Sequence, residues 1–184
     1  MRRWRRLELT EPLSPGAKRL RIFVGMALAA LVTAIAWTTA ADRSTGPVDQ
    51  AKALTVTVRY LLGPAACLLA GIGAVANRRF FVDREIDGGT GGDPSTEIAL
   101  RYLQNTLEQA VLAAFAWTAL AVLAPGSAAT LVPMLSALFI VGRAAFWVGY
   151  RQAPWARAFG FGLTFYPTAV LLVWLIVRAL VHGE

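Results

Sequence analysis

The sequence predicts an all-α integral membrane bundle of five transmembrane helices, on three observations. First, 57% of the 184 residues are hydrophobic and the mean hydropathy is +0.54, too apolar for an ordinary soluble globule. Second, the apolar residues gather into five runs, each of roughly the 20 residues that a hydrocarbon core about 30 Å thick requires. Third, lysine and arginine crowd beside alternate ends of those runs, as the positive-inside tendency demands. The net charge of +7 would suit nucleic acid if it covered a polar face. These basic residues flank apolar runs instead, so the expected partner is the lipid bilayer and no nucleic acid is expected.

The elements follow in chain order. Residues 1–21, MRRWRRLELTEPLSPGAKRLR, read as a basic arm, and 22–41 as the first span. A signal peptide shares this basic start and apolar run, though the polar stretch before the run is long for one, and its cleavage would leave four spans. Asp42 to Gln50, with Gly46 and Pro47, reads as a short outer turn. The second span, about 54–76, holds Arg59 near its outer end, the pair Gly63 and Pro64, and small residues suited to close helix packing. NRRFFVDREIDGGTGGDPST, 77–96, is the long hydrophilic loop. Pro94, Ser95 and Glu97 mark the start of a third helix that runs to Ala124, where APG forms a tight turn. The fourth span covers about 131–150 and the fifth about 159–181, joined by RQAPWAR.

Counting Lys and Arg puts the arm, the 77–96 loop and the 151–157 loop on one side, expected to be cytoplasmic, with the C-terminus outside. Three units result: the arm 1–21, a first helix with its outer turn 22–50, and a four-helix domain 51–184. Cys67 is a single cysteine within an apolar run, so neither a disulfide nor a cysteine metal cluster is expected, and no metal site is read elsewhere.

Ionisable residues inside a span cost about 2.5–3.5 kcal/mol at its centre and need partners or water. Arg101, Asn105 and Glu108 fall at i, i+4 and i+7 on one stripe of the third helix, with Glu97 a turn below. Arg143, Trp147 and Tyr150 repeat that spacing on the fourth helix. Two such stripes facing each other would make a pocket rich in guanidinium, suited to a small anionic or zwitterionic ligand. Simpler readings stand beside this one. Arg101 with Glu108, or Glu108 with Arg143, would be a structural ion pair, and Asn105 an interhelical hydrogen bond. Arg78, Arg79, Arg151 and Arg157 would be positive-inside anchors, and Tyr150 and Trp155 interfacial belt residues.

RYLQNTLEQAVLAA, 101–114, resembles the second-helix motif of the MAPEG family, the membrane-associated proteins of eicosanoid and glutathione metabolism. FIVGRAAFWVGYRQAPWARAFGFGL, 139–163, is similar to that family's third helix and following loop. The resemblance spans about two thirds of the chain, and NTLEQ is nearer to the bacterial branches. It implies a homotrimer of four-helix bundles in a bacterial inner membrane, with glutathione as co-substrate. Arg101, Asn105 and Glu108 would hold glutathione's charged and amide groups, Tyr150 would close over it, and Arg79 or Arg78 would reach in. Arg143 joins this substrate-binding set from the facing stripe. Arg157 matches the arginine that stabilises the glutathione thiolate. The implied reaction is conjugation to a lipophilic electrophile or reduction of a lipid hydroperoxide. Phe146 departs from the pattern, standing where several family enzymes place tyrosine or histidine, and Gln109 stands where the leukotriene-forming members have tyrosine. The first helix is additional to the family core, on the outside of the trimer or across a lipid entrance. A non-catalytic binding or scaffold protein of the same fold is the alternative; a transporter would call for inverted repeats, which are not visible.

Overall fold

The computed structural model describes residues 14–41, 48–82 and 93–182. Five helices make up these residues, with no strand among them: α1 (Pro15–Ala41), α2 (Gln50–Phe81), α3 (Pro94–Leu123), α4 (Pro125–Gln152) and α5 (Ala158–His182). All five are long and apolar enough to cross a membrane. Most of the basic arm, the turn residues 42–47 and the glycine-rich residues 83–92 lie outside the described residues.

Local chemistry sets the helix starts, and it lengthens several of them beyond the apolar runs. α1 begins at Pro15 rather than at residue 22, because Ser14 caps it: the Ala17 amide donates to Ser14 Oγ at 3.2 Å, and proline fits the first helical position. Asp49 caps α2, accepting from the Ala51 and Lys52 amides, and Asp93 caps α3 through the Ser95 amide at 2.9 Å. Between α3 and α4 the expected turn shrinks to one residue. Ala124 closes α3 through its amide to Leu120 C=O, and Pro125 opens α4.

α2 runs unbroken through Gly63 and Pro64, and a neighbour explains how. Proline has no amide hydrogen, so the carbonyl of Tyr60, four residues back, loses its helical donor. The Ser136 hydroxyl of α4 donates to that carbonyl at 2.8 Å. Gly63 makes room for it: a Cβ there would stand 2.5 Å from Ser136 Oγ. A substitute donor from another helix is how a membrane interior tolerates proline.

Helices α2 to α5 form the core bundle, in which α2 packs on α3 and α4, and α5 on α4 and α3. Their shared interior is rich in alanine around Trp117, which meets Phe139 edge to face. Between α4 and α5 the backbones nearly touch. A Cβ on Gly160 would lie 2.2 Å from the Phe146 amide nitrogen, and one on Gly149 2.5 Å from the Ala156 carbonyl oxygen. Such close approach is the usual role of glycine between membrane helices. α1 packs on α5 and α4 and not on α2 or α3, so it lies against one side of the bundle.

The arrangement gives the bundle a basic end. The start of α1, the end of α2, the start of α3 and the α4–α5 connection lie there, bringing Arg21, Arg78, Arg79, Arg101, Arg151 and Arg157 to the same end of the bundle.

Candidate functional site

At the basic end a cavity of about 430 Å³ opens between α1 and α3, backed by α4, α5 and their connection. That size lies within the range of about 300–1,000 Å³ typical of small-molecule sites. Its polar wall is the α3 stripe, Arg101, Gln104, Asn105 and Glu108, with Arg157 from the connection. Its apolar wall includes Ile22, Met26, Phe146, Trp155 and Phe161.

Neither ion pair suggested by spacing forms. Arg101 pairs with Glu97, one turn earlier on the exposed side of α3, and Glu108 accepts from Gln104 Nε2 at 3.0 Å. An exposed ion pair such as Arg101–Glu97 contributes little to stability, about 0–1 kcal/mol, so releasing Arg101 from it costs little. Arg101 also lies near enough to the Tyr150 hydroxyl to interact with it.

The α4 stripe is divided. Arg143 is fully buried, because the glycine contacts with α5 turn its face inward. Its Nη1 donates to Asn105 Oδ1 at 2.7 Å, and its Nη2 donates to the Thr164 hydroxyl and to Gly160 C=O. The guanidinium lies 4.8 Å from the Phe146 ring centroid, a cation–π contact. A guanidinium carries donors only, so the atom facing it must be the Asn105 amide oxygen. The amide N–H groups of Asn105 are thereby left for the cavity, which sets this residue as a donor to a carbonyl or carboxylate. Arg143 therefore acts behind Asn105 rather than in the cavity wall. Trp147 turns away and meets Tyr102 edge to face at 4.4 Å.

Tyr150 is likewise buried, and it reaches the cavity through its neighbours: the Arg157 guanidinium lies over its ring at 4.7 Å. The stacking fixes where the Arg157 charge sits without neutralising it. Arg79, on the last turn of α2, is half-buried and does not line the cavity, while Arg78 pairs with Asp93 at 3.1 Å. The structure thus brings Arg101, Asn105, Glu108 and Arg157 into one cavity, sets Arg143 and Tyr150 directly behind it, and leaves Arg79 apart. Gln104, Ile22, Met26 and Phe161 were not singled out by the sequence. Gln104 shares the α3 stripe, three residues after Arg101, so its signal was present; the others are apolar residues in apolar helices and carry none. Among the described residues, no three His, Cys, Asp or Glu side chains gather as metal ligands.

The MAPEG family model matches residues 53–177, from the first turn of α2 almost to the end of α5. This chain belongs to the MAPEG family. Over 85 residues it is 31% identical to Transmembrane protein 79 of Mus musculus and of Bos taurus, covering 45% of this chain and 22% of each relative. The chain thus matches about a fifth of the length of these mammalian relatives. No solved structure matches it. α1 lies wholly outside the MAPEG-matched residues, which makes its two contributions to the cavity wall additions to the family core.

Proposed function

We propose that this MAPEG protein is a glutathione-dependent membrane enzyme, a glutathione transferase with peroxidase capacity, acting on lipophilic electrophiles. The observation that carries the proposal is the single cavity shared by Arg101, Asn105, Glu108 and Arg157. The donor set suits glutathione group by group. Arg101 and Arg157 offer guanidinium forks to carboxylates. Asn105, held by Arg143, offers amide donors to a carbonyl, and Glu108 offers a carboxylate to the α-ammonium.

Arg157 supplies the chemistry. A free thiol has a pKa of about 8.5, and a guanidinium placed beside it favours the nucleophilic anion. With Arg157 held on Tyr150, the thiol proton leaves to water at the open basic end and the sulfur forms the new bond to the electrophilic carbon. The displaced electron pair departs with a leaving anion or, in an addition to an epoxide or polarised double bond, takes up a proton from water. The apolar wall holds that carbon close by, and such proximity accounts for much of the acceleration in transfer reactions. Arg79 does not line this cavity. In a homotrimer, the assembly the family resemblance implies, it would serve a neighbouring subunit's site.

The basic end faces the cytoplasm on this reading, with the N-terminus inside and the C-terminus outside, in keeping with the positive-inside tendency. Placement in a bacterial inner membrane rests on the NTLEQ stretch, 105–109, whereas the relatives named above are mammalian.

Phe146 favours a second reading, a non-catalytic binding protein of the same fold, since it puts an apolar ring in the cavity wall. Calorimetric titration of glutathione into purified Arg101→Ala and Asn105→Ala proteins tests the proposed site. Binding weakened about tenfold or more in both is the expected result. Unchanged binding in both would remove the α3 stripe from the assignment.

A further inference from the structure

α1 lies outside the matched residues 53–177, yet Ile22 and Met26, one helical turn apart, stand in the wall of the cavity that holds Arg101, Asn105 and Arg157. Close packing fixes them there. A Cβ on Gly25 would come 3.2 Å from the Phe159 amide nitrogen, and one on Gly162 would come 2.8 Å from Ala29 Cβ. Gly25 and Ala29 therefore bring the α1 and α5 backbones together over a full turn, the small-residue geometry of tight membrane helix pairs. Residues 22 and 26 occupy the neighbouring stripe of the same turns, and the register set by 25 and 29 aims them at the cavity. A second anchor lies at the basic end. The Arg21 guanidinium stacks 4.8 Å from the centroid of Trp155, itself a wall residue. The cavity is thus polar along α3 and apolar along α1, with Phe146 and Phe161 between.

We propose that α1 is the wall that limits the second substrate: Ile22 and Met26 bound the apolar part of a ligand whose reactive carbon lies at Arg157. The substrate class that follows is an electrophile on an alkyl or acyl tail of restricted length, with the limit set by residues 22 and 26. The inference rests on the glutathione reading of the cavity and adds to it a specificity determinant that the four-helix core lacks.

The test uses the full chain in lipid nanodiscs and a series of S-alkyl glutathione thioethers from methyl to octyl, titrated by calorimetry against glutathione itself. Each methylene that enters the apolar wall should raise affinity about fourfold, from about 0.8 kcal/mol per buried CH₂, until the tail meets α1 and the gain stops. Met26→Trp should bring that plateau to a shorter chain, and Met26→Ala and Ile22→Ala should move it to a longer one, each thioether affinity being taken relative to the same variant's affinity for glutathione. Leu28→Trp, on the half-exposed lipid side of the same helix, should leave it in place. Thioether binding with a plateau at the same chain length in every variant would overturn the role of α1 alone. A wild-type protein that binds neither glutathione nor any thioether would overturn the glutathione reading, and this inference with it.

Discussion

The continuity of α2 through Pro64 depends on one hydroxyl from another helix, and removing it has a computable cost. Ser136→Ala takes away the donor that meets the Tyr60 carbonyl at 2.8 Å, leaving a backbone acceptor without a partner in the bundle. An unpaired buried group costs about 1–3 kcal/mol in general, but hydrogen bonds between membrane helices average about 0.6 kcal/mol and reach about 1.7. The expected loss is therefore about 1 kcal/mol. Pro64→Ala supplies the missing test, because alanine at 64 restores an amide hydrogen four residues after Tyr60 and makes the hydroxyl redundant. In a Pro64→Ala background, Ser136→Ala should cost nearly nothing, giving a coupling energy of about 1 kcal/mol between two residues on different helices. Reversible unfolding in mixed micelles, followed by tryptophan fluorescence across the four proteins of the cycle, measures it. An equal cost of Ser136→Ala in both backgrounds would refute the role assigned to the hydroxyl.

Other substitutions probe the site and its support. Gly160→Ala should destabilise the protein by about 1–3 kcal/mol or more, since its Cβ meets the Phe146 and Gly142 backbones rather than side chains that can move; Gly73→Ala, inside α2 where a Cβ meets nothing, should instead raise stability by about 0.5–1 kcal/mol, the helix-propensity gain of alanine over glycine. Arg143→Lys should lower glutathione affinity about tenfold, equivalent to about 1.4 kcal/mol, because an ammonium cannot reach Asn105 and Thr164 together. Asn105→Ala should lower it similarly, and calorimetry of the double variant should show little further loss.

The five spans and the basic end were legible in the sequence because hydropathy and charge bias are summed over many residues. Helix starts were legible only in part: Pro94, Ser95 and Glu97 marked α3 well, whereas its cap at Asp93 was not read and the cap at Ser14 lay inside what composition marked as a basic arm. The α3 stripe was legible because helical periodicity alone puts residues 101, 105 and 108 on one face. Periodicity names a face but not its partner, which is why the α4 stripe misled. Arg143 shares a face with Trp147 and Tyr150, yet glycine contacts across α4 and α5 bury it behind Asn105, and those contacts exist only once the two helices are brought together. The contribution of α1 left no trace in the sequence, since Ile22 and Met26 look like any other lipid-facing residues of an apolar run.

The thiolate is the species on which the enzymatic reading depends. Its difference absorbance near about 240 nm, recorded with glutathione bound to the purified protein from about pH 6 to 9 and with Arg157→Ala alongside, tests that reading most directly. We expect thiolate absorbance to appear well below the free-thiol pKa of about 8.5 and to disappear in the Arg157 variant. Bound glutathione that stays a thiol up to its ordinary range in both proteins would contradict the activation by Arg157 and leave a binding protein of the MAPEG fold.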